Sequence, residues 1–299
     1  MKAVLTDEPF DDPGWIFERK LDGVRCIAHR EGGGPARLLS RTDRDMTGQF
    51  PELAEALGAQ PLDDFVVDGE IVAFADGVTS FSRLQRRARE RVSVFLYVFD
   101  ILRHEGRDVR DRPLRERKAL LRDAFEFGGR LRYSRHRNRH GKRLFSEACR
   151  QGLEGLIAKR ADSPYRSEAR SRDWLKLKCH LEQELVIGGF TAPQGSRTDF
   201  GALLVGYHEE GELRYAGKVG TGFDRIALET LGRRLRELVR DDPPFADIHP
   251  IPRGTHWVEP ELVAQIGFSE WTRDGRLRHP RYLGLRDDKP AGEVVRERP

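Results

Sequence analysis

An α+β fold in two domains is the architecture this sequence predicts, and three observations predict it. At 299 residues the chain exceeds the usual size of one domain, so two units able to bury separate cores are expected. As far as about Cys179 the apolar residues fall in short, β-branched runs with few helical patterns between them, the mark of a unit built on antiparallel sheet. From about Glu182 glycine-punctuated strands surround one amphipathic helix, which suits a small Greek-key barrel. No internal repeat or low-complexity linker intervenes. The change of character lies between Cys179 and Glu184, giving expected domains 1–182 and 183–299.

In chain order, Trp15–Lys20 and Val24–Arg30 read as strands flanking an Asp22-Gly23 turn, and Leu38–Arg41 as a brief strand. Phe65–Ala75 and Val94–Leu102 are apolar and β-branched, hence sheet. Pro113 suits the first turn of a helix carrying Leu114, Leu120, Leu121 and Phe125, and Phe145–Gly152 reads as a second helix stopped by glycine. Gly155–Arg160 and Trp174–Cys179 return to strand, with a polar loop expected over Asp162–Asp173. Beyond it, Leu185–Phe190, Ala202–His208, Leu213–Val219 and Leu262–Trp271 are strands of an OB-type barrel. A helix over Asp224–Arg240 places Ile226, Leu231, Leu235 and Leu238 on one face.

The formal charge is only +4, yet the basic residues cluster, and it is the local field that attracts phosphates. One cluster is Arg83–Arg91; another, Arg130–Arg143, contains no acidic residue. Either is a solvated face or a nucleic-acid contact. Cys26, Cys149 and Cys179 are odd in number and far apart, without zinc spacing or a disulfide framework, so a reduced cytoplasmic setting is expected. The histidines lack metal-ligand spacing. No apolar run approaches membrane-spanning length and Met1–Trp15 lacks the pattern of a signal peptide, so no membrane partner is expected.

Lys20-Leu21-Asp22-Gly23-Val24-Arg25 places an amine beside a tight turn, a carboxylate and a guanidinium. Alone it reads sooner as a hairpin with solvated charges. Further along stand Asp68-Gly69-Glu70, Phe99-Asp100, Glu154-Gly155-Leu156-Ile157-Ala158-Lys159 and Trp174-Leu175-Lys176-Leu177-Lys178. Two residues apart on a strand, Lys176 and Lys178 share one face while Leu175 and Leu177 share the other. A strand edge guarded by lysines would look the same, but not in company with Lys20 and Lys159.

In order and spacing these motifs resemble the covalent nucleotidyltransferases, the superfamily of ATP-dependent DNA ligases, RNA ligases and mRNA capping enzymes, over nearly the whole chain. The resemblance implies a nucleotidyltransferase (adenylation) domain followed by an OB-fold domain, with Lys20 forming a phosphoramide with AMP. It further implies Arg25 and Glu70 on the ribose, Phe99 stacked on the purine, Glu18 near the adenine amino group, Lys159 in the nucleotide site, and Lys176 and Lys178 on the α-phosphate. Glu70 and Glu154 are the implied ligands of Mg²⁺ or Mn²⁺, and Asp22 joins the catalytic set. Ser40-Arg41 resembles a ligase motif near the ribose and nick phosphate. Arg278–Lys289 resembles the last ligase motif, in which Arg286 and Lys289 would orient pyrophosphate. Gly217–Phe223 and Phe268–Thr272 resemble the ligase module of bacterial multifunctional end-joining ligases.

The implied function is ATP-dependent sealing of 3′-OH/5′-phosphate nicks in duplex DNA through a lysyl-AMP intermediate, in double-strand-break repair by end joining. Implied with it are a monomer in the bacterial cytoplasm, nucleoid-associated, and Ku and polymerase or nuclease modules as partners. A free lysine, with a pKa of about 10.4, is almost wholly protonated at neutral pH, so a nucleophilic Lys20 requires neighbouring positive charge, here Lys176, Lys178 and a bound cation. An RNA ligase or capping-type enzyme is the nearest alternative. A non-catalytic OB-containing nucleic-acid-binding protein is the alternative of another class, and it would bind without covalent AMP. Trp174 reads as a core anchor.

Overall fold

A computed structural model describes residues 1–88, 90–193 and 198–297, and the chain divides into two compact units, Met1–Cys179 and His180–Glu297. Arg89, within the Arg83–Arg91 run, lies outside the described residues. In the first unit the elements run β1 (Lys2–Leu5), β2 (Trp15–Lys20), β3 (Val24–Arg30), β4 (Arg37–Ser40), α1 (Pro51–Gly58), β5 (Phe65–Ala75), β6 (Val78–Thr79) and α2 (Phe81–Gln85). They continue with β7 (Val94–His104), β8 (Arg107–Asp108), α3 (Leu114–Ala124), β9 (Leu131–Tyr133), β10 (His136–Arg137), α4 (Gly141–Arg150), β11 (Gly155–Arg160) and β12 (Arg170–Lys178).

Two sheets form this unit, one ordered β1-β12-β11-β2-β10 and the other β4-β3-β5-β7-β8, with β6 and β9 added to β5 and β7. Both are antiparallel except where β1 joins β12 and β9 joins β7 in parallel, a departure from the all-antiparallel expectation. The Asp22-Gly23 turn is not a hairpin, because β2 pairs with β10 and β11 while β3 pairs with β4 and β5. Lys20 therefore stands where the chain leaves one sheet for the other, which is why its neighbours come from both.

Burial explains the periodicities. On the second sheet Cys26, Ala28, Val67, Ile71, Leu96 and Val98 join Leu53 and Leu57 of α1 in one core. On the first, Phe17, Leu156, Ala158, Leu175 and Leu177 pack with Ala148 of α4. Gly141 opens α4 against the Phe17 ring, with which a Cβ there would collide. The loop expected over Asp162–Asp173 ends early, since Arg170–Asp173 already belongs to β12 beside β1. That polar stretch is held by backbone pairing, which side-chain pattern does not report.

Cys149 and Cys179 form a disulfide, with Cα atoms 5.1 Å apart, which corrects the expectation of three unpaired cysteines. Packing of the last turn of α4 at the end of β12 unites residues 30 apart in sequence; Cys26 is free and buried.

In the second unit follow β13 (Leu181–Thr191), β14 (Leu203–Glu209), β15 (Glu212–Val219), α5 (Arg225–Glu237), β16 (Val239–Arg240), β17 (Thr255–Val258), β18 (Val263–Phe268), β19 (Glu270–Trp271), β20 (Leu277–Arg278) and β21 (Arg281–Leu285). The long β13 pairs with β14 along its second half, with β17 at its end and with β18 along its first half, as a strand does when it turns a barrel corner. Asp224 caps α5 through its side chain, which accepts from the Ala227 N–H, and Leu231 and Leu235 anchor the helix to the core. The α+β architecture with an OB-type second unit is the one expected. Among the described residues no helix is long and apolar enough to cross a membrane.

Candidate active site

Register across the first sheet assembles the lysines. β11 lies between β2 and β12, with Gly155 opposite both Lys20 and Lys178, and Ile157 opposite both Glu18 and Lys176. Residues directly opposite share a face, and two strand spacings separate the Lys20 and Lys178 backbones by about 10 Å, within reach of one phosphate chain for two long side chains. Glycine is required between them: Gly155 has φ +147°, and a Cβ there would strike the Leu177 carbonyl. Leu175 and Leu177 turn to the opposite, buried face, so β12 divides as the alternation predicts. The Lys20 ammonium is mostly shielded from solvent and pairs with Glu154, at the head of β11.

Behind Lys20 the wall is a buried ionic cluster. Glu18, 3% exposed, accepts from Lys118 through one oxygen and from Lys159, at 2.9 Å, and the Ser134 hydroxyl, at 3.2 Å, through the other. Burial by itself would raise the Glu18 pKa, but Lys118 and then Lys159 outweigh it, and the carboxylate is held below its ordinary range. Burial pulls the Lys159 pKa down, against the opposing pull of Glu18. The Lys159 ammonium lies 4.2 Å from the Phe99 ring centroid and 4.1 Å from that of Trp174, a cation between two π-faces.

Phe99, Trp174, Ile157, Glu70 and Arg25 line a cavity of about 150 Å³ that also touches Glu18, Lys20 and Lys159. Phe99 and Trp174 meet edge to face with centroids 5.9 Å apart. Trp174 is thus a core anchor that also lines the cavity, and its buried indole N–H has no acceptor among the described residues. Arg25 is fixed as a fork on Asp68, at 2.9 and 2.6 Å, and also donates to the Tyr165 hydroxyl and the Met1 carbonyl. Counting its five N–H groups, at most one remains for a ribose hydroxyl.

Other expected site residues sit differently. Asp22 accepts from the Phe81 N–H at 2.8 Å, at the start of α2, so part of its role is to hold that helix. One carboxylate oxygen of Asp22 lies within 4.8 Å of one of Glu154, so these two side chains could share a cation. Glu70 lines the cavity wall, opposite Arg25 in register. Arg41 follows the end of β4, where the Ser40 hydroxyl accepts from the Thr42 and Arg44 N–H groups, and does not line the cavity among the described residues. In the second unit Arg286 forms a fork with Asp288, both bonds 2.8 Å, and Lys289 pairs with Glu184 at 2.8 Å.

Lys118, Ser134 and Tyr165 were not read from the sequence. A signal for Lys118 existed: it falls four residues after Leu114 and three before Leu121, on the apolar stripe of α3, where a lysine requires a buried partner. Ser134 and Tyr165, in polar segments, gave none.

Two family models match: the ATP dependent DNA ligase domain over residues 2–178 and the ATP dependent DNA ligase C terminal region over 196–289. The multifunctional non-homologous end joining protein LigD of Pseudomonas aeruginosa is 43% identical over 297 residues, which cover 95% of this chain and 35% of that protein. The chain therefore spans about a third of the length of that relative. A solved structure described as mycobacterial DNA ligase D complexed with ATP and MES is 36% identical, with TM-score 0.69, covering 99% of this chain and 98% of that one. The ligase domain of Mycobacterium tuberculosis LigD is 37% identical, with TM-score 0.53 and the same coverage.

Proposed function

This chain belongs to the ATP-dependent DNA ligase family, and from that membership we propose that it seals nicks in duplex DNA by way of AMP carried on Lys20. The observation that carries the proposal is the row Lys20–Gly155–Lys178, beside a cavity walled by Phe99, Trp174 and Ile157. A purine needs π-faces and a triphosphate needs cations, and the row and the cavity supply both. The buried Trp174 N–H, without an acceptor among the described residues, adds a donor.

The chemistry balances in three transfers. A neutral Lys20 amine forms a bond to the α-phosphorus, the bond to the β-phosphate oxygen breaks, and pyrophosphate leaves as the nitrogen loses a proton. An oxygen of the nick 5′-phosphate then bonds to the adenylate phosphorus, the P–N bond to Lys20 breaks, and the amine departs with a proton. The 3′-hydroxyl attacks the activated phosphate, gives up its proton and expels AMP. Lys176 and Lys178 stabilise charge on the non-bridging oxygens in each transfer, since positioning and electrostatics dominate phosphoryl chemistry. Asp22 and Glu154, hard oxygen donors, suit a divalent cation such as Mg²⁺, which would supply positive charge near Lys20 when bound.

Phe99→Ala is expected to raise the ATP concentration needed for half-maximal adenylation about tenfold while leaving the saturated rate within about threefold, since a lost stacking face weakens binding more than chemistry. Titration of adenylate formation against ATP checks it, and an unchanged requirement would make Phe99 a core residue only. Binding to nicked duplex is expected to fall steeply with salt and to show little sequence preference. Anisotropy titrations between about 50 and 200 mM salt test this. We place the activity in end-joining repair, with Ku and polymerase or nuclease modules as partners in the bacterial cytoplasm. The support is the 43% identity to the P. aeruginosa protein. Comparing nicked DNA with nicked RNA, and ATP with GTP, separates DNA ligase from the RNA-ligase and capping alternatives.

A further inference from the structure

The basic segment Arg130–Arg143 is not absorbed by the nucleotide site, and the fold gives it a definite place. β9 and β10 run at the margins of the two sheets, and between them opens a cavity of about 750 Å³ whose lining includes Tyr97, Arg122, Arg132, Tyr133, Arg135 and Arg137. It continues into a second hollow of about 640 Å³ that adds Arg139 and Arg143. Toward the nucleotide it shares Glu18, Arg19, Leu21 and Ser134 with the smaller cavity, so the two are neighbours along one wall.

Register draws the connection. Arg25 stands opposite Glu70, Glu70 opposite Tyr97, and Tyr97 opposite Arg132, a row crossing four strands from the nucleotide cavity to the arginine cleft. Along the same edge Phe74, Phe95 and Tyr97 form an aromatic group with centroids 5.7 and 6.3 Å apart. The Arg130 and Arg132 guanidiniums lie 5.7 and 5.1 Å from the Phe95 centroid.

Three of the arginines carry charge that no described carboxylate compensates. Arg135, Arg137 and Arg139 are exposed, and none makes an ion pair with a described residue. The two carboxylates in the lining are already engaged, Glu18 by Lys118 and Lys159, and Glu147 by Arg143 at 3.6 Å. A concave site with unpaired arginines beside the partly exposed Tyr97 ring suits phosphates together with unstacked bases. Bases in a duplex stack on one another and cannot offer their faces to Tyr97.

We propose that this cleft holds a single-stranded tail of the DNA substrate beside the break, its phosphates on Arg135, Arg137 and Arg139 and its bases against the Tyr97 edge. The proposal rests on the nick-sealing reading of the neighbouring site. Its consequence is that substrates with an unpaired extension are held more tightly than flush ones.

The test uses the full chain and its Arg135→Gln/Arg137→Gln/Arg139→Gln variant, with anisotropy measured on a nicked duplex carrying an unpaired tail and on the same duplex without it. The variant is expected to bind the tailed duplex about tenfold more weakly, with its log–log salt slope reduced by about 2 for three lost single-strand phosphate contacts. The untailed duplex and the self-adenylation rate should stay within about twofold, since these arginines are outside the nucleotide cavity. A 2-aminopurine in the tail should be quenched on binding to the wild type. Equal weakening on both duplexes would assign the cleft to the duplex backbone and overturn the proposal, as would no weakening on either. Failure of the wild type to label at Lys20 would instead sink the ligase reading, while tail binding remained measurable.

Discussion

Lys20→Arg is expected to lower transfer of label from α-labelled ATP to the protein by more than about 10⁴-fold, because the guanidinium stays protonated and has no lone pair to offer phosphorus. It keeps the positive charge that faces Glu154, so the fold should lose no more than about 1 kcal/mol. Lys20→Ala should abolish labelling equally and, in addition, leave Glu154 without this counter-charge. Intact mass before and after incubation with ATP, and after chase with pyrophosphate, reads the adduct directly. A labelled Lys20→Arg protein would end the proposed mechanism.

Glu18→Ala carries the largest expected stability effect. It strands two ammoniums, Lys118 and Lys159, each about 1% exposed, and leaving a buried charge without its partner costs about 3–5 kcal/mol. Urea unfolding of wild type and variant measures the loss. Adding Lys118→Met should recover part of it, because the second change removes one of the stranded charges. A loss under about 1 kcal/mol would mean that other groups hold both ammoniums. The sign with pH follows from the lowered Glu18 pKa: its contribution is full above the ordinary value of 4.5 and fades as pH falls toward the lower folded value. Acid should therefore erode the difference between wild type and Glu18→Ala, and stability measured from neutral pH down to about 3 tests that.

Much of the site lay in the sequence because strand alternation is local. Two lysines two apart on a strand share a face wherever that strand goes. The nature of the partners was not local. Arg25 is bound to Asp68, 43 residues away, and Glu18 to Lys118 and Lys159, 100 and 141 away. Short edge elements such as β1, β9 and β10 escaped pattern reading because they are too brief to show a period.

By itself the sequence determined the α+β class, the barrel-like second unit, the lysine-bearing strands and the family, since these depend on residue order and period-two burial. Tertiary structure alone decided that Asp22 holds α2, that Cys149 meets Cys179, that Arg25 is already committed to Asp68, and that the Arg130–Arg143 run borders a cleft instead of a flat face. The physical reason is that hydrogen bonds, ion pairs and cavities form between segments whose separation along the chain carries no trace of their distance in space. Only the stacking of one sheet beside another fixes which charges lose water and must find each other.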